Sequence, residues 1–210
     1  MTTKLRVGFH SLARSFGQSA GFARLYWGVI VVQGVHLFEH VVQLFQVYAL
    51  GVPDDDAFGL LGLFFKFNGT EEWLHLVFNL TYLASLAVLF VGVLGLFYDR
   101  LLSGAVMMGF AVWGLGLETW HGVEHAVIIR NVLRNGGCPC PGIGDVALGV
   151  TDTQLHFVYN VLAYAGTIIP FVALWRAHRI PLFGRWERRR LSALSQRAES
   201  PLIAGQTVHG

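Results

Sequence analysis

The chain has 210 residues, of which 54% are hydrophobic and only 13% charged, with a mean hydropathy of +0.53 and a net charge of +2. A soluble domain carries about 25% charged residues. This composition excludes a globule that covers itself with charge, and it leaves apolar surface that only lipid can cover.

Residues 1–24 carry Lys4, Arg6, Arg14 and Arg24 but no apolar run of signal-peptide length. Leu5, Phe9, Leu12 and Phe16 recur at near-helical spacing, which predicts an amphipathic helix on the membrane surface. Four apolar segments follow: A, Leu25 to Ala49; B, Trp73 to Phe97; C, Gly104 to Ile129; and D, Leu155 to Trp175. Each reaches the ~20 residues that a bilayer span requires. Backbone groups in lipid must be satisfied within the segment, so each is expected to be a helix. The fold class is therefore an all-α integral membrane protein, a four-helix bundle of two hairpins (25–97 and 104–175). A fifth apolar patch, Phe58 to Phe67, is too short to span and is expected at the interface. Residues 176–210 form a basic tail.

Twelve of the 15 Lys and Arg fall in the N-terminal segment, the B–C loop and the tail, so these parts are expected in the cytoplasm of a multi-pass protein of the cell membrane. The sequence pI of 8.7 thus reflects basic ends that favour anionic lipid. No nucleic-acid partner is implied. Gly92, Gly95, Gly104, Gly109, Gly114 and Gly116 are expected to let helix backbones approach.

The hairpins repeat one another. A contains His36-Leu-Phe-Glu39-His40 and C contains His121-Gly-Val-Glu124-His125; B contains Leu74-His75-Leu-Val-Phe-Asn79 and D contains Leu155-His156-Phe-Val-Tyr-Asn160. Shared His, Glu and Asn in one order point to duplication. Positions i, i+3 and i+4 lie on one helix face. His36, Glu39, His40 and Gln43 therefore form one stripe; Glu118, His121, Glu124 and His125 a second; Glu72, His75 and Asn79 a third; and Asp152, His156 and Asn160 a fourth. All can converge in the outer half of one bundle.

An ionisable group near the bilayer centre costs about 2.5–3.5 kcal/mol on insertion scales. Ligation of a metal offsets that cost, and imidazole with carboxylate suits Fe, Cu, Zn or Mn. The expected ligands are His36, Glu39, His40, His75, His121, Glu124, His125 and His156, around one or two transition-metal ions. Gln43, Glu72, Asn79, Glu118, Asp152 and Asn160 are expected to orient them by hydrogen bonds. The bland alternative is that the histidines and glutamates satisfy one another across the helices. Cys138 and Cys140, in a Gly- and Pro-rich loop from Asn131 to Asp152 that could gate access, are read as a strained disulfide, a thiolate pair that hands over a soft metal, an intermolecular bridge, or part of a rigid lid without chemistry of its own.

His-x-x-Glu-His has the order of an inverted zinc-peptidase motif, but five residues carry no activity over. In ligand chemistry alone the set resembles membrane di-iron hydroxylases and desaturases, whose histidine clusters are differently spaced and lie mostly outside their spans. The function expected is a metal-dependent membrane oxidoreductase acting on a lipid-like or small hydrophobic substrate. The alternatives are a haem-binding electron carrier, a metal-ion or proton transporter, and an accessory subunit of a larger membrane complex or homo-oligomer. The inner half of the bundle is expected to lack polar residues that would continue a path.

Overall fold

The computed structural model describes residues 2–65, 72–97, 102–136 and 142–177, with the side chains of residues 2–7, 97, 102, 103 and 105 not described. All regular structure among these is helical: α1 (Thr2–Gly17), α2 (Ala20–Leu50), α3 (Glu72–Phe97), α4 (Leu102–Gly109), a π-helical segment (Phe110–Gly116), α5 (Leu117–Arg134), α6 (Ile143–Leu148) and α7 (Asp152–Arg176). Three of the helices, α2, α3 and α7, are long and apolar enough to cross a membrane.

Local chemistry sets the boundaries. Ser19 caps α2 by accepting from Phe22 N at 3.0 Å, and Gly51, at φ 69°, closes its far end with its N–H on the Gln46 carbonyl. α7 starts at a reciprocal Thr151–Gln154 capping box. Segment C is continuous helix from 102 to 134, but seven of its residues, Phe110–Gly116, wind as π-helix two residues before Glu118. Such widened turns re-aim the side chains that follow and recur at functional sites. The long C–D loop expected from the sequence is shorter than it looked, because α5 continues to Arg134 and α6 occupies 143–148.

The interior is divided along the bundle. Toward the end that carries α1, a hydrophobic core packs Phe22, Tyr26, Leu86, Leu89, Val93, Phe110, Phe171 and Leu174. Here Phe16, Phe22, Tyr26 and Phe171 stack edge to face in a row, with successive centroids 5.4, 5.6 and 5.2 Å apart. Toward the other end, where α2 finishes and α7 begins, the interior is polar. We call this the distal end. Outside, α2 exposes Val31, Val35, Phe38, Val41 and Phe45, and α7 exposes Val158, Val161 and Ile169. Buried polar groups inside an apolar exterior invert the usual soluble arrangement, and are compatible with a multi-pass membrane protein.

Two of the expected close-approach glycines stand at helix contacts. A Cβ on Gly95 would overlap the Ala13 and Arg14 backbone, and one on Gly92 would overlap the Phe22 ring. α1 therefore docks tightly on α3, with Ala13 buried, while Phe9 and Leu12 remain exposed. Gly104 and Gly109 have open space where a Cβ would stand, so close packing does not explain them.

Candidate metal centre

All six histidines of the repeated motifs converge. His36, His40 and His75 form one group and His121, His125 and His156 a second; within each, one ring nitrogen per residue lies within 4.8 Å of the others. None is more than 3% exposed. The groups adjoin, since His75 lies over His125 with centroids 5.4 Å apart and His40 lies over His156 at 6.2 Å. Helical spacing explains the pairs on α2 and α5: residues four apart stack along one face, so their Nε2 atoms point at the same spot. The Nε2–Nε2 distance is 3.4 Å for His36–His40 and 3.1 Å for His121–His125. Two nitrogens at 2.0–2.1 Å from one tetrahedral zinc ion stand ~3.3 Å apart. The spacing of the pairs thus matches shared ligation of a metal ion.

The remaining expected residues divide. His125 Nδ1 donates to Glu72 Oε2 at 2.6 Å. His156 Nδ1 pairs with Asp152 Oδ1 at 2.9 Å, and Glu118 Oε2 stands 3.7 Å from His121 Nδ1. Asn79 lies beside His36 and Gln43 beside His40. These five each stand next to one of the imidazoles. Asn160 is different. It bonds the His156 backbone carbonyl at 2.9 Å and accepts from Gln33 Nε2 at 2.7 Å, so it ties α2 to α7 beneath the cluster without touching an imidazole.

The two motif glutamates each direct one oxygen to a distal loop. Glu39 Oε1 accepts from Leu61 N at 2.5 Å and Gly62 N at 3.2 Å, and Glu124 Oε1 accepts from Gly144 N at 2.7 Å. Neither belongs to a histidine group. The physical reason is that buried amide groups of the distal loops need acceptors, and a carboxylate is a strong one. Glycine lets the loops come this close: a Cβ on Gly59 (φ +66°) would collide with Glu39 Oε1, and one on Gly142 with Glu124 Oε1. Among the described residues the short apolar patch, 58–65, is this loop seated on Glu39. Cys138 and Cys140 lie outside the described residues.

Residues the sequence reading passed over also line the site. The Phe78 ring lies parallel to His36 at 4.8 Å. Tyr159 packs against His121 at 5.3 Å while its hydroxyl accepts from Trp120 Nε1 at 3.0 Å. Position 159 follows His156 by three, the one-face spacing that could have found it. The interior below the cluster is not bare either. Tyr82 Oη bonds Thr167 Oγ1 at 2.5 Å and donates to Ala163 O at 3.2 Å, and Tyr26 Oη donates to Thr167 O at 3.0 Å. Buried polar groups therefore do continue inward from Glu118 and Gln33. Each is a single tyrosine, threonine or glutamine within an apolar run, where periodicity registers only the apolar neighbours.

On the distal side, burial first and Asp152 second push the Asp145 carboxyl up to about 6. Burial, with Asp54, Asp152 and Asp56, also raises Asp55, so the turn at Asp54–Asp56 lies close enough to Asp152 to feel its charge.

Each histidine group could thus hold a metal ion. Comparison with protein-family models, with curated proteins and with solved structures gives no match, so the side chains themselves carry the functional argument.

Proposed function

We propose that the protein is a membrane-embedded metalloprotein of the oxidoreductase class, holding up to two transition-metal ions on three histidines each. The observation that carries this reading is the pair of buried histidine groups, each with its nitrogens within 4.8 Å. Buried imidazole nitrogens without partners are costly, and His156 Nε2 is one of them. An all-imidazole donor set suits Cu, Zn, Fe or Ni, and copper binds tightest in the usual order of divalent ions. With Glu39 and Glu124 engaged by the loops, the carboxylate-rich di-iron comparison weakens and a histidine-only site takes its place.

The same packing speaks against haem. The six rings contact one another with centroids 4.4–6.2 Å apart, which fills the space a macrocycle would need. A bound redox-active ion supplies electron transfer or Lewis acidity. The chain itself positions the nitrogens, excludes water and presents apolar walls. A lateral apolar groove of about 380 Å³ between the π segment and α7, lined by Phe110, Trp113, Leu162, Gly166, Ile169 and Pro170, has none of the six histidines in its wall.

The architecture that goes with this reading is a bundle of two tandem repeated hairpins, with α4, the π segment and α5 together making a fourth span. The charge rule puts both termini in the cytoplasm. One observation favours a second reading, a metal-ion or proton transporter: the buried line of Gln33, Glu118, Tyr82, Thr167 and Tyr26 on the side away from the loops.

Elemental analysis of gently purified protein, with an absorption spectrum of the same sample, tests the proposal. One or two equivalents of Cu, Zn or Fe without a Soret band are expected. A Soret band would replace this reading with the electron carrier, and no metal even after reloading would leave the histidines as structural polar packing.

A further inference from the structure

The two histidine groups differ in what stands behind them. Around His121, His125 and His156 a carboxylate stands near each Nδ1: Glu72 hydrogen-bonds His125 at 2.6 Å, Asp152 Oδ1 lies 2.9 Å from His156 Nδ1, which also reaches the Asp152 backbone carbonyl at 2.9 Å, and Glu118 stands 3.7 Å from His121, beyond hydrogen-bond distance. Around His36, His40 and His75 the neighbours are the neutral amides of Asn79 and Gln43. Among the described residues, Nδ1 of His40, His75 and His121 has no hydrogen-bond partner, so what sets the groups apart is the carboxylates beside one of them.

The difference is written into the repeat. Aligning His36 with His121 puts Gln33 in the place of Glu118, and aligning His75 with His156 puts Thr153 in the place of Glu72. Gln33, Glu118, Glu72 and Thr153 are all buried. Glu118 belongs to the second half and Glu72 to the first, so each half carries one neutral group where the other carries a carboxylate, and both of these carboxylates stand beside the His121, His125 and His156 group. The counterpart of Asp152 is Glu71, which lies outside the described residues.

A carboxylate on Nδ1 holds the ring proton there, frees Nε2 for a metal and raises its basicity; such partners change metal affinity by about 10–100-fold. It also supplies negative charge next to a dication in a medium of low dielectric, where an uncompensated charge is expensive. Geometry on the carboxylate-backed side agrees. The Nε2 atoms of His121 and His125 face each other at 3.1 Å, and His156 Nε2 is buried with no hydrogen-bond partner in the structure.

We propose that duplication has produced two unequal metal sites: a tight site for a divalent transition-metal ion at His121, His125 and His156, and a weaker site for the same ion at His36, His40 and His75. This rests on the metal-binding reading above. The carboxylates Glu118, Glu72 and Asp152 are positioning residues, acting through the imidazoles.

The test is a titration of the full-length protein in detergent with Zn(II), in competition with a chromophoric chelator. Two binding classes separated at least tenfold are expected. His125→Ala removes the tight class and His40→Ala the weak one. Glu118→Gln and Glu72→Gln, which keep side-chain size, each weaken the tight class about 10–100-fold and leave the weak class alone. Gln33→Glu works in the opposite direction and tightens the weak class, so the proposal does not hang on one variant's folding. Two equal classes, or carboxylate variants that act on the weak class, would overturn the inequality while leaving metal binding intact. No Zn(II) uptake by the native protein would overturn both readings.

Discussion

Removing one histidine from each group, by His40→Ala together with His125→Ala, should strip the protein of bound metal while leaving it folded and inserted. The size of the effect can be worked out. Structural zinc sites bind with an apparent ~10–16 kcal/mol over four ligands, or about 2.5–4 kcal/mol per ligand. At 1.4 kcal/mol per tenfold, loss of one of three imidazoles weakens a site by roughly two to three orders of magnitude. Both residues are at most 1% exposed, and each faces its i−4 partner through Nε2, so neither is replaceable by a nearby solvent ligand without rearrangement. The cost to the fold should be smaller, because neither ring belongs to the hydrophobic core around Tyr26, Leu86 and Phe171. Far-UV circular dichroism and gel filtration in detergent check that the double variant is helical and monodisperse; mass-spectrometric metal analysis and chelator competition read the site. Unchanged metal content in a folded double variant would refute the assignment of these rings as ligands.

The motif glutamates give a contrasting prediction: Glu39→Gln and Glu124→Gln should keep metal stoichiometry and instead loosen the distal loops. Losing a charged acceptor costs about 1.5–3 kcal/mol, seen as roughly tenfold to hundredfold faster amide exchange at Leu61, Gly62 and Gly144, and a fall in stoichiometry would return both residues to the ligand set. Gly95→Leu should destabilise the docking of α1 on α3 by about 1–3 kcal/mol, whereas Gly104→Leu, with open space around it, should be neutral; thermal unfolding in detergent compares them. Asp145 predicts a pH dependence. Its folded pKa lies above the usual carboxylate range, at about 6, through burial and Asp152, with Glu124 also facing it and His156 opposing. Its contribution to α6 docking is therefore complete below about pH 4 and lost as pH rises through about 6. Amide exchange across Ile143–Leu148 should show this profile, and Asp145→Asn should flatten it.

Much of the fold was legible because its signals are long. An apolar run of some twenty residues has few alternatives to a span, and segments A, B and D each lie within one observed helix, with Ser19 and Thr151 accounting for the displaced starts. Segment C was legible as helix but not as broken helix, since Phe110–Gly116 carries no composition that distinguishes π from α winding. The histidines were legible because i, i+4 spacing on two helices and a shared register on two more leave little freedom in where the rings can meet. The roles of Glu39 and Glu124 were not. Their partners are backbone amides of Leu61, Gly62 and Gly144, and side-chain periodicity says nothing about where a loop's N–H groups will need an acceptor. Gln33 was passed over because a lone glutamine in an apolar run looks like noise until it is set against Glu118.

That last comparison bears on why the motif reads His-x-x-Glu-His in both halves. If the glutamates were ligands, the two halves would be expected to carry the same ligand set and so the same affinity. Here both glutamates bond loop amides, and both halves keep them, because each hairpin has a loop to fasten at the distal end. The six histidines are kept as well. The halves differ at Gln33 against Glu118 and at Thr153 against Glu72, all four of them buried. A duplicated scaffold can diverge at those positions without disturbing the convergence of six rings, since the helix spacing that brings them together lies elsewhere. The half that carries Glu118 is also the half in which the helix before it winds as π over Phe110–Gly116. The widened turn ends at Gly116, two residues ahead of Glu118, so the carboxylate and the His121–His125 pair are re-aimed together, a coupling that the regular helix of α2 does not give Gln33.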